Sequence, residues 1–117
     1  MQKKSFNTPD ETRTPPKTKV EVVKIGDSTL MRTTFEPGWK WSEHVKPTAG
    51  TDSCQVHHII CAISGHLKTV MEDGTEVEIS PGDVANIPPG HDAWVVGNEP
   101  AVGIDIAGGA SYAKPSS

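Results

Sequence analysis

Long apolar runs are missing from this 117-residue chain: no stretch approaches the roughly 18 residues that a membrane-spanning helix needs. Its first residues, Met1-Gln2-Lys3-Lys4-Ser5, lead into polar sequence instead of the apolar core of a secretion signal. A soluble, cytoplasmic protein without a membrane partner is therefore expected. Cysteine is scarce, with only Cys54 and Cys61, too few for a disulfide framework, so both are expected as reduced thiols and Cys61 as a small buried hydrophobe. Aromatic residues make up 5% of the chain and the net charge is −4, with no cluster of Lys and Arg interleaved with aromatics. That combination argues against a nucleic-acid surface. Helical periodicity is absent too, since no segment shows a convincing apolar repeat every three or four positions.

What the chain does have is punctuation. Eleven glycines and ten prolines favour short elements joined by many turns, and the length is that of one domain. Charge divides the chain unevenly. Residues 1–19 carry five basic and two acidic residues, together with three prolines and Phe6 as the single large apolar residue, too little to offset the entropy of ordering. This segment is read as a flexible basic arm. The barrel domain is expected over 20–107, and a small polar tail over 108–117 has Tyr112 as its one anchor.

Within the domain, apolar stretches recur every eight to twelve residues between turn signals, the pattern of antiparallel strands in a sandwich or barrel. Nine strands are predicted: 20–25, 29–35, 39–45, 56–63, 67–71, 75–79, 84–87, 93–96 and 101–106. Segment 39–45 alternates, with Trp39, Trp41 and Val45 on one face and Lys40, Ser42 and His44 on the other. Segment 46–53 reads as a loop. Asp73-Gly74 is a hairpin signal of the type I′ kind. An all-β, double-sheet barrel follows, with its interior as the natural place for a ligand.

All five histidines fall between positions 44 and 91. His57 and His58 are neighbours on a strand and point to opposite faces, so only one of them can serve an interior site. His66 is expected at the surface. His44, one of His58 and His57, and His91 come from separate strands that converge in a small barrel, as three ligands do in an open transition-metal site. Cys54 and Ser64 have histidines nearby in sequence but no clear acidic partner, so no nucleophile constellation is read here.

These residues resemble the cupin superfamily, in particular its small single-domain conserved-barrel members, over roughly 22–106. The run from Gly38 to His44 matches the G-x5-H opening of the first cupin motif, His58 to Gly65 its closing x6-G step, and Gly82 to Gly90 the G-x5-P-x-G of the second. The sequence departs from the pattern in three places. Lys46 stands at the second histidine position, His58 at that of the glutamate, and Ala93 where a second-motif histidine belongs, with His91 or Asp92 as the alternatives. The resemblance implies a cupin-type double-stranded β-helix, or jelly-roll barrel, that forms homodimers. It further implies a divalent first-row metal (Fe, Mn, Zn, Ni or Cu) held by His44, His58 and His91, with His57 as the alternative to His58.

Lys46, Trp41, Trp94 and Asp92 are the candidate pocket residues, because aromatic walls with a few polar groups are what small-molecule sites use. The expected function is a metal-binding barrel that acts on or binds a small oxygen-rich or anionic molecule. The alternative is a non-catalytic binding or sensing module with a degenerate metal site. The sequence leaves open which of the two it is, and whether the protein is an enzyme.

Overall fold

Alternation of buried and exposed residues along short segments builds two antiparallel sheets. The computed structural model describes residues 1–108, so Tyr112 and the rest of the expected tail anchor lie outside the described residues. The larger sheet places β1 (Glu11–Arg13), β2 (Thr18–Ile25), β3 (Ser28–Phe35), β9 (Ala101–Asp105), β4 (His58–Ser64) and β7 (Val84–Ile87) side by side. The smaller one orders β6 (Glu76–Ile79), β5 (His66–Met71) and β8 (His91–Val96). Two short helices, α1 (Trp41–His44) and α2 (Lys46–Ala49), lie between β3 and β4. This is the double-sheet barrel that the strand pattern predicts.

The core runs down the inside at period two. Val20 and Val22 come from β2, Met31, Thr33 and Phe35 from β3, Leu67 and Thr69 from β5, and Ala93 and Val95 from β8, all buried. Phe35 stacks on Trp39 with ring centroids 3.9 Å apart. Where β4 hands the chain to β5, Gly65 has φ +72°, and a Cβ there would lie 2.2 Å from the carbonyl oxygen of Pro100. Only glycine fits that crossing.

Four expectations need correction. Segment 39–45 is not a strand: α1 takes residues 41–44, and Trp41 and Val45 are both buried, being four apart and so on one helical face. The expected loop 46–53 begins with α2, which has a proline in its first turn and closes on Gly50 at φ 76°.

The expected flexible arm contributes a strand, because β1 pairs with β2 in the register Glu11↔Val22 to Arg13↔Val20. Ladder bonds and an Arg13–Glu11 ion pair at 2.6 Å do what apolar side chains do elsewhere. Lys4 adds an ion pair to Asp10 at 2.9 Å, and the Arg32 guanidinium lies 5.5 Å from the Phe6 ring centroid.

The fourth correction concerns the β5–β6 hairpin. It turns through Gly74 alone at positive φ, with the Gly74 N–H donating to the Met71 carbonyl. That is a type I turn ending in glycine, not type I′.

Candidate metal centre

Backbone pairing brings the first two residues of the site together. Cys54 forms an isolated antiparallel bridge with His91: its N–H donates to the His91 carbonyl at 2.7 Å, and the Gly90 N–H donates to the Cys54 carbonyl at 2.7 Å. The loop carrying Cys54 is tied down by Ser53, whose hydroxyl donates to the Glu72 carboxylate. His58 opens β4, and the Cys54 Sγ lies 3.6 Å from its Nε2. The His58 and His91 rings meet edge to face with centroids 5.3 Å apart. One ligating atom from each of Cys54, His58 and His91 lies within 4.8 Å of the others, and all three residues are buried.

Both imidazoles are held from behind. The His58 Nδ1–H donates to Asp105 at the end of β9, a carboxylate with no exposed surface. The other Asp105 oxygen accepts the N–H groups of Ala107 and Gly108, each at 2.8 Å. The Nδ1–H of His91 donates to the Pro88 carbonyl at 2.7 Å. With each Nδ1 so engaged, Nε2 is the ligating atom of both rings, the arrangement by which outer groups orient metal-bound histidines. The backbone at Gly108 runs so close that a Cβ there would come within 2.6 Å of His58 Nδ1.

Burial sets the protonation states. It holds the His91 imidazole down to about 4, neutral and able to ligate at ordinary pH. It pushes the Cys54 thiol up to about 11, with the nearby Asp105 and Asp92 charges adding to the effect. For Asp105, burial alone raises the carboxyl, but the His58 hydrogen bond and charge, with the two backbone N–H groups, outweigh it and hold the group below its ordinary value.

One thiol and two imidazoles converge with a carboxylate behind, and this donor set fits a first-row transition metal. The adjoining interior cavity, lined by His58, His91, Asp105, Trp39, Trp41 and Thr69 among others, measures about 20 Å³. That is the scale of one water-sized occupant.

Of the metal ligands predicted from sequence, the structure brings His58 and His91 together and leaves His44 and His57 apart. His57 is exposed and its Nε2 lies 2.6 Å from the Asn86 side-chain oxygen. His66 is exposed beside Ser80, as expected. His44 rides on α1, its Nδ1 accepting the Lys40 N–H at 3.0 Å, and among the described residues it is not part of the cluster. The expected convergence of His44 with the other histidines supposed a strand over 39–45, and α1 takes its place.

Lys46, also displaced by the helices, sits 3.7 Å from Asp52. Trp41 lines the cavity. Asp92 and Trp94 occupy the less buried parity of β8, opposite His91, Ala93 and Val95. Asp92 accepts the Ser42 N–H at 3.1 Å, and Lys40 lies 5.5 Å from the Trp94 ring centroid. Cys61 is half-buried, and both cysteines are free thiols. Sequence reasoning missed Cys54 as a donor and Asp105 as its acidic neighbour. Period-two parity along 101–105 puts Asp105 inside with Ala101, whereas no local pattern pairs Cys54 with His91.

No protein-family model matches the sequence, and no curated protein matches it. Solved structures do match. A structural-genomics protein of unknown function from Rhizobium leguminosarum aligns at TM-score 0.66 and 19% identity, over 99% of this chain and 98% of that one. The polyketide cyclase RemF from Streptomyces resistomycificus aligns at 0.64 and 16%, over 92% and 78%. A cupin-like protein from Thermotoga maritima aligns at 0.55 and 20%, over 77% and 67%. At such identities the likeness is one of fold, and the fold is the cupin-type jelly-roll barrel that the motifs in 38–90 imply.

Proposed function

We propose that this is a small metal-binding protein in which Cys54, His58 and His91 hold a divalent first-row transition metal, with a coordination position left for a small oxygen-bearing molecule. The observation that carries this reading is the shared tethering of two imidazoles. Asp105 and the Pro88 carbonyl each take an Nδ1–H, leaving two Nε2 atoms and the Cys54 sulfur as a preorganised donor set. Thiolate and imidazole donors favour zinc or copper over the harder manganese. When bound, the metal supplies Lewis-acid polarisation of the ligand's oxygen. The protein's own part is to fix His58 and His91 in one tautomer and to release the Cys54 proton on binding. The polyketide cyclase RemF combines this fold with catalysis, an analogy at fold level that favours an enzyme over a purely sensing module.

A second reading is favoured by the order of contacts Asp105–His58–Cys54, which is that of an activated thiol nucleophile. Burial works against it, since a thiol pushed up to about 11 stays protonated at neutral pH. Cobalt(II) titration of chelator-treated, untagged protein decides between the two. One equivalent bound with a thiolate-to-cobalt charge-transfer band is expected, with Cys54→Ser removing the band and weakening affinity by about a hundredfold or more. His44→Ala leaves both unchanged. Failure to take up any first-row ion, or wild-type affinity in Cys54→Ser, overturns the metal reading.

A further inference from the structure

Three buried polar atoms find no hydrogen-bond partner among the described residues: Nε1 of Trp39, Nε1 of Trp41 and Oγ1 of Thr69. The two tryptophans are 2% exposed and Thr69 5%. All three side chains line the same 20 Å³ cavity beside His58 and His91. Buried donors left unmade are costly and rare, and three around one cavity mark a missing acceptor. An indole N–H can only donate, so the occupant must present lone pairs.

A second space meets the first. Between β6 and β7, an edge strand of each sheet, runs a groove of about 320 Å³, within the range of small-molecule sites. Val77, Ile79, Val84 and Pro88 line it, and Thr69 and Ile87 line both the groove and the cavity. Val77 and Val84 remain 55% and 69% exposed. No residue lining the groove is charged, and the cavity holds no lysine or arginine. Neither space offers an anion a lysine or arginine, and the cavity already holds the Asp105 carboxylate, which favours a neutral ligand over the anionic one that the sequence left open.

We propose that groove and cavity form one site for a small, neutral, largely apolar carbonyl compound. Its body lies between β6 and β7, and its oxygen reaches past Thr69 to the indole N–H groups of Trp39 and Trp41. Two lone pairs and no proton of its own match a carbonyl oxygen to two obligatory donors. The proposal deepens the metal-site reading, on which any polarisation of the carbonyl rests. Binding of the carbonyl itself does not require the metal.

The three tryptophans give three indole N–H resonances, each assigned by its Trp→Phe variant. Acetophenone at millimolar concentration is expected to move the Trp39 and Trp41 resonances of the metal-free full chain and leave that of Trp94 in place. Cumene, of similar shape without the oxygen, moves neither, and benzoate moves neither. Thr69→Val is expected to weaken acetophenone binding roughly two- to tenfold, the worth of one hydrogen bond, with no loss in thermal midpoint because the hydroxyl has no partner to lose among the described residues.

Resonances of Trp39 and Trp41 that stay still with both acetophenone and cyclohexanone overturn the proposal, leaving an ordered water as the cavity's occupant. Equal shifts with cumene overturn it as well. Shifts in a protein that takes up no cobalt uphold this inference and sink the metal reading. Cobalt uptake with silent indoles does the reverse.

Discussion

Asp105 shows how one side chain couples the fold to the site. One of its oxygens accepts the His58 Nδ1–H and the other accepts two backbone N–H groups, so every partner it has is a donor. Asn cannot replace it without setting its amide NH2 against either the imidazole or the Ala107 and Gly108 N–H groups. Asp105→Asn is therefore expected to lower stability by about 1–3 kcal/mol and metal affinity by roughly 10–100-fold, read by urea unfolding and by competition against a chelator. Unchanged affinity in a folded Asp105→Asn protein would show that the carboxylate does not orient His58. Thr69 stands at the other extreme, a buried hydroxyl without a partner among the described residues, so its removal is expected to cost little in folding.

Among the elements, the crossing from β4 to β5 tolerates least. A Cβ on Gly65 meets the Pro100 and Ala101 backbone at 2.2–2.8 Å, and the residue's φ of +72° is unfavourable for any side chain. Both costs fall on rigid main chain, so Gly65→Ala is expected to destabilise by more than about 2 kcal/mol. A shift of the urea midpoint to lower denaturant, at unchanged slope, checks it; a variant as stable as the wild type would mean the crossing moves freely.

The same elements explain what sequence could tell. Strands with one buried face carry period-two patterns, which is why β3 and β7 fall close to where 29–35 and 84–87 were expected, whereas β2, buried at all of 20–23, is bounded by the turn signal Gly26-Asp27. Trp39, Trp41 and Val45 fit a strand face, and Trp41 and Val45 equally fit one face of a helical turn. The helix prevails, and His44 leaves the site with it. β1 had no side-chain signature because backbone ladder bonds hold it. The Cys54–His91 bridge is a tertiary pairing, and no local period encodes it.

At the scale of the molecule, a cluster buried between two sheets makes stability depend on pH in a predictable window. His91 titrates near 4 in the folded protein against an ordinary 6.5, so between these values the unfolded chain binds the proton and the folded one does not. Stability of chelator-treated protein therefore falls as pH drops from about 6.5 to about 4, by up to about 3 kcal/mol. Asp105 works in a lower range. Its folded value lies below the ordinary 3.8, so its stabilisation is intact above that pH and is lost only beneath it. The two groups thus separate on the pH axis, and the slope above 4 is assigned to His91. His91→Gln keeps an N–H for the Pro88 carbonyl but cannot take up a proton. Urea unfolding at a series of pH values is expected to give a sloping wild-type profile and a flatter one for the variant between 6.5 and 4, with both falling together below that. Parallel profiles through the upper window would remove His91 as the group responsible.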